Sequence, residues 1–171
     1  MTVAAFDANM CNYARNCIPQ PGGTDVDAIA DRAMFRNQYR NFGSHEAMVF
    51  NQTVDADGAD HAGIRWYELR NSGGGWGMNQ EGTYGPADTS TTSRWMGSIA
   101  MDGAGNMALG YSIADDVSLY PSIRYAGRLA SDTLGVCGQP TSRAARPYAE
   151  ASATLFWGAL AGQRAGDVLA W

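Results

Sequence analysis

Short strand-like runs, some alternating with a period of two, recur along the chain between clusters of turn residues. The alternation Phe35, Asn37, Tyr39, Asn41 is one instance. On this basis the sequence predicts strands over 35–42, 45–54, 61–69, 76–84, 95–101, 107–113 and 121–127, with a short opening strand over 1–8. Residues 9–24, with Pro19-Gln20-Pro21-Gly22-Gly23, read as a loop, and 25–34 as a lead-in. Gly43-Ser44, Asn71-Ser72-Gly73-Gly74-Gly75 and Asp102-Gly103-Ala104-Gly105-Asn106 supply the turn chemistry between runs.

The pattern occurs twice. Ile64-Arg65-Trp66 matches Ile123-Arg124-Tyr125 at an offset of 59 residues, and Glu46-Ala47-Met48-Val49-Phe50 aligns with Asn106-Met107-Ala108-Leu109-Gly110 at an offset of 60. Repeats of this size built from short strands point to a β array such as a propeller. The expectation is an all-β chain of four-stranded antiparallel meander blades, about two per chain. The boundaries are 1–34 for a lead-in strand and loop, 35–93 for one blade, 94–137 for the next and 138–171 for an atypical tail. In that tail, 148–160 reads as a short helix with Leu155, Phe156 and Leu160 near one face, weakened by Gly158. Its departure from the blade pattern suggests a truncated or frame-shifted end. Two blades leave sheet faces unpaired, so the ring is completed by copies of the chain itself, a homotrimer of about six blades or, second, a dimer of about four.

The net charge of −5 argues against partners that are nucleic acids or anionic membranes. No apolar run approaches membrane-spanning length. Met1-Thr2-Val3-Ala4-Ala5-Phe6-Asp7 lacks the basic start and apolar stretch of a signal peptide. Lysine is absent and all 12 basic residues are arginine. Cys11 and Cys17 stand close enough for a small-loop disulfide, which would suit a secreted or extracellular parent protein; two reduced thiols are the alternative.

In a meander blade the second-to-third-strand loops share one rim. There they gather Asp55, Asp57, Asp60 and His61 from one repeat and Asp115 and Asp116 from the other, with Asp88 entering from the connection between repeats. Asp-x-Asp-Gly-x-Asp offers carboxylates at the spacing of a hard-cation loop, so a divalent metal is expected, Ca²⁺ first and Zn²⁺ or Mn²⁺ second. The alternative is an exposed acidic turn. With a metal held by Asp55, Asp57, Asp60, Asp115 and Asp116, the rim reads as a hydrolase site for ester or phosphoester substrates, with His61 or Asp60 as the base and Arg94, Trp95 and Tyr120 contacting a small-molecule substrate. The competing function is a non-catalytic module that binds glycans or serves as a structural piece of a larger protein. Glu46 is expected to pair with an arginine such as Arg40. Arg65 and Arg124 are expected to stabilise the blades, and Trp66, Trp76, Trp95 and Tyr111 to pack between them. No Gly-x-Ser-x-Gly elbow and no phosphate-binding glycine loop ahead of a helix is present.

The runs Cys-Asn-Tyr-Ala-Arg-Asn-Cys-Ile-Pro-Gln-Pro-Gly (11–22), Tyr-Arg-Asn-Phe-Gly-Ser-His-Glu (39–46), Ala-Gly-Ile-Arg-Trp-Tyr-Glu-Leu-Arg (62–70) and Arg-Trp-Met-Gly-Ser-Ile-Ala-Met-Asp (94–102) resemble a segment of large secreted bacterial proteins that carry sialidase-like or related β-propeller regions. The resemblance covers roughly residues 3–133 and implies a propeller fold, not an activity. The sialidase aspartate box Ser-x-Asp-x-Gly-x-x-Trp is missing; the run 98–105 has the wrong spacing.

Overall fold

Among the described residues seven strands form, and they form where the sequence places them. The structure, a computed structural model of the chain, describes residues 1–85 and 91–137. The expectations for Asp88 and for the tail beyond 137 lie outside the described residues. The strands are β1 Gln38–Asn41, β2 Glu46–Asp55, β3 Ala62–Asn71, β4 Trp76–Tyr84, β5 Ser93–Met101, β6 Met107–Ala114 and β7 Ser122–Arg128. They pair as two antiparallel meanders, β1-β2-β3-β4 and β5-β6-β7. The opening strand over 1–8 does not form. Only Asp7 reaches the sheet, at a single bridge to Asp55.

The two sheets pack face to face. One apolar core draws Ala47, Val49, Ile64 and Trp66 from the first sheet and Ile99, Met101, Leu109 and Tyr111 from the second. They come close together at a break in β5. The register with β6 shifts between Trp95 and Ser98, and Met96 takes a φ of 52°. The break turns the Met96 N–H onto the Thr53 hydroxyl at 3.1 Å. It also seats Gly97 against β2 and β3: a Cβ there would fall on the Asn51 amide oxygen and within 3.0 Å of Ile64. At the other end, the Gln38 amide closes both hydrogen bonds to the Met101 backbone, and Arg40 Nε donates to the same carbonyl at 3.1 Å. The expected partner of Arg40, Glu46, is held otherwise. That carboxylate accepts from the Tyr39 hydroxyl at 2.6 Å and from Asn71 at 2.9 Å.

The faces in contact are unlike. In the first sheet Met34 N–H donates to the Asn51 carbonyl and Phe42 N–H to that of His45, so odd-numbered residues of the second strand aim their peptide groups toward β1. In the second sheet Asp102 N–H donates to the Asn106 carbonyl and Asp115 N–H to that of Leu119. There the odd-numbered residues aim toward β7. For L-residues that direction fixes the face of the side chain. Val49 and Leu109, both pointing into the shared core, thus leave opposite faces of their sheets. The offset that keeps like faces together is 59 for both strands. It places Ile123 on Ile64 and Ala108 on Val49, correcting the offset of 60 for the second strand of each repeat. Ile64 is fully buried beneath the second sheet, whereas its counterpart Ile123 is 62% exposed.

Two further features lock the pair. The segment after β7 returns over the first sheet, where Gly135 N–H donates to the Gln80 side chain at 3.0 Å. Gly82 admits it, since a side chain there would meet the Gly135 carbonyl. Residues 9–30, read as a loop over 9–24 and a lead-in from 25, build a second core in which Met10, Ile18, Ala28 and Ala30 pack on Ala62, Trp95 and Ala114.

Candidate functional site

Both second-to-third-strand loops are organised by the aspartate at the end of the second strand. Asp55 Oδ1 accepts from the N–H groups of Asp57 at 3.2 Å and Gly58 at 2.8 Å, and its Oδ2 accepts from Asp60 N–H at 3.1 Å. Asp115 Oδ1 accepts from the N–H groups of Val117, Ser118 and Leu119 at 2.9, 2.7 and 2.8 Å. This is side-chain mimicry of a turn carbonyl, for which aspartate is well shaped. The acidic spacing that reads as a cation loop is met here by backbone amides.

The remaining rim groups also have protein partners. Asp57 Oδ1 accepts from Ala59 N–H at 2.9 Å, and its Oδ2 lies 3.3 Å from His61 Nδ1. His61 Nε2 donates to the Thr92 carbonyl at 2.5 Å, tying the loop to the start of β5. Asp60 accepts from Cys11 N–H at 2.5 Å, and Asp116 from the Thr91 hydroxyl at 2.9 Å. Among the described residues, no three of Asp55, Asp57, Asp60, Asp115 and Asp116 bring ligand atoms within 4.8 Å of one another. The group that does so is Cys11, Cys17 and Asp60, and its two sulfurs are bonded to each other with a Cα–Cα separation of 5.6 Å. Oxidised sulfur is not a thiolate ligand.

The three residues expected to contact substrate fall in different places. Arg94 is buried, donating to the Gly85 carbonyl at 3.2 Å with its guanidinium carbon 5.5 Å from the Tyr84 ring centroid. Trp95 is buried in the second core. Tyr120 alone is exposed, at 62%. Trp66 and Tyr111 are core residues, as their packing role requires, but Trp76 lies on the outer face, edge-on to Tyr39. Arg65 holds the first sheet together, with Glu81 at 2.6 Å and Thr83 at 3.2 Å.

Alternation and loop composition did not signal the buried carboxylate of Glu68, since two of its three partners, Asn79 and Gln80, come from a neighbouring strand. Nor did they signal a depression of about 190 Å³ in the N-terminal segment, lined by Met10, Arg15, Asp27 and Asp31 among others. It is smaller than the pockets that enclose drug-sized ligands. No protein-family model, curated protein or solved structure matches the chain.

Two expectations follow from these loops. Backbone N–H groups hold the Asp115 carboxyl below the ordinary aspartate value of 3.8, Leu119 contributing most. Asp57 is lowered as well, first by Ala59 N–H and then by His61. A carboxyl depressed on folding adds stability that is complete above the unfolded pKa and fades as pH falls through the folded one. Acid below about pH 4 should therefore loosen the two loops. Asp115→Asn should flatten that part of the profile, read by hydrogen exchange at 116–119. Separately, Cys11→Ser/Cys17→Ser should cost roughly 2 kcal/mol, the entropy of a loop this short. Chemical denaturation should show it, with the loss centred on the core around Trp95.

Proposed function

We propose that the chain is a non-catalytic β module of an extracellular protein, two successive repeats of a propeller-like stack whose role is scaffolding. The observation that carries this reading is the occupation of the rim: the carboxylates of Asp55 and Asp115 cap their own loops, and both His61 nitrogens face protein oxygen atoms. A general base must reach the proton it takes, and a cation loop must turn several oxygens inward. The unlike-face packing of the two sheets supports successive repeats, because that is the sense in which members of an array follow one another. The Cys11–Cys17 bond supports an oxidising compartment.

Thermal unfolding with millimolar CaCl₂, MnCl₂ or ZnCl₂, and again with EDTA, tests it alongside hydrolysis of activated carboxylic and phosphotriester substrates. An unchanged midpoint and no hydrolysis are expected. Activity that EDTA removes and one metal restores would establish instead the metal-assisted hydrolase, with Asp60 and His61 as its first residues to substitute.

A further inference from the structure

Along its described strands the outward face of the second sheet carries no formal charge. Ser98, Ala100, Ala108, Gly110, Ser112 and Ile123 lie on it, and Met96, at the break in β5, is 45% exposed. At an offset of 59 this is the same face that the first sheet buries. Ile123 stands where Ile64 stands, and Gly110 where Asn51 stands. Within the chain that face is covered by the unlike face of the next sheet. Among the described residues, the second sheet thus presents a surface, exposed at Ser98 and Ile123 and half-buried at Tyr125, whose counterpart in the first sheet is a core.

The first sheet presents the complementary surface. Its outward face carries Tyr39, Met48, Phe50 and Trp76, with Phe50 stacked on Tyr67 at 4.8 Å. Met48 and Phe50 occupy the positions of Met107 and Leu109, which are 4% and 0% exposed because they pack on the first sheet. Met48 and Phe50 are only half-buried, Tyr39 is 51% exposed and Trp76 37%. The N-terminal segment touches this face at β4, where Ala4 N–H donates to Glu81, and leaves the β1 side open.

The breaks in the two inner strands match as well. Ala33 bridges Gln52 and Gln38 pairs with Val49, so the first sheet is interrupted at the level where β5 is interrupted. Within the chain that level sets Gly97 against Asn51. At the second contact the break carries Phe35, 86% exposed, and the residue facing it is Gly110, where an added Cβ would meet only the Ser98 carbonyl, at 3.9 Å. Large and small exchange sides, so the fit is kept.

We propose that a second copy of this chain docks head to tail, the outward face of its first sheet lying on the outward face of the second sheet here, in repetition of the contact between the two sheets within one chain. The contact is heterologous and uses two different surfaces, so it propagates until it closes a ring. The proposal rests on the successive-repeat reading above, and the readout below is independent of the metal and hydrolysis tests that decide whether the rim is catalytic.

Sedimentation velocity of the full chain over a concentration series tests it against the monomer mass of 18.3 kDa. The wild type should sediment as two or more copies. Ile123→Arg and, on the same face, Ser98→Glu should each fall to the monomer with an unchanged circular dichroism spectrum, and so should Tyr39→Arg on the opposite surface. Val117→Ser, which removes a 75% exposed side chain from the loop after β6, should keep the wild-type mass. An equimolar mixture of Ile123→Arg and Tyr39→Arg should recover a dimer, since each retains the surface the other has lost. A monomeric wild type, charge variants that still assemble, or a mixture that stays monomeric while the wild type assembles would each overturn the proposal. Using both Ile123→Arg and Ser98→Glu keeps it testable should one variant misfold.

Discussion

Trp66→Ala should lower the unfolding free energy by about 3–5 kcal/mol, the range for truncating a large buried aromatic side chain. Trp66 is 1% exposed at the centre of β3, paired with Asn51 on one side and Gly82 on the other. Three layers meet on its ring: the first sheet that carries it, the second sheet that shares its core, and the returning segment whose Gly135 carbonyl lies over Gly82. The indole leaves a void that cannot be filled from one side, because Gly82 and Gly97, the two closest backbone approaches nearby, have no side chain to move in. The cost should therefore sit at the upper end, seen in denaturant titration as a fall in midpoint without a change in slope. Trp66→Phe, which keeps most of the ring, should recover more than half of the loss.

Glu68→Ala should be nearly as severe, at about 3–5 kcal/mol, because it strands the partners of a buried charge. Glu68 is fully buried. Its Oε1 accepts from Arg70 Nε at 2.5 Å, and its Oε2 accepts from Asn79 at 2.9 Å and from Gln80. Gln80 in turn holds Gly135 N–H. The carboxylate is thus the first link of a chain that fixes the return of residues 129–137 onto the first sheet. Arg70 keeps 38% of its side chain in solvent, so part of the ion pair is screened and the two amides should account for most of the loss. Glu68→Gln separates these contributions. It keeps the shape and one acceptor and should cost about half as much. Amide exchange at Gly135 should rise in both variants and stay unchanged in Arg70→Ala if the amides dominate.

The second strand of each sheet was legible because it buries alternate residues and a period of two survives in the letters, whereas β3 buries eight residues in a row and was legible from its apolar run and flanking turns. The predicted 76–84 strand forms with those bounds, and 107–113 gains one residue, Ala114. The first strand of the first sheet shortened because the break around Phe35 leaves only Gln38–Asn41 in the ladder. The offset of 60 between second strands came from aligning letters without the direction of the peptide groups, and one residue of slip exchanges the faces. The acidic loops were ambiguous for a similar reason. Aspartate suits a cation loop and an Asx turn equally well in composition, and only the aim of the amides at Asp55 and Asp115 tells the two apart. Residues 9–30 have no periodicity to read. Their core around Trp95 depends on the Cys11–Cys17 bond and on contacts far along the chain.

Cys137, 7% exposed at the end of that return segment, gives the molecule an internal clock. Burial pushes its thiol up to about 12, so at neutral pH it is protonated and shielded from alkylating reagents at once. Iodoacetamide can reach it only when residues 129–137 lift from the first sheet. The rate of labelling therefore counts those openings, one molecule at a time, and separates the peeling of one flap from the collapse of the whole fold.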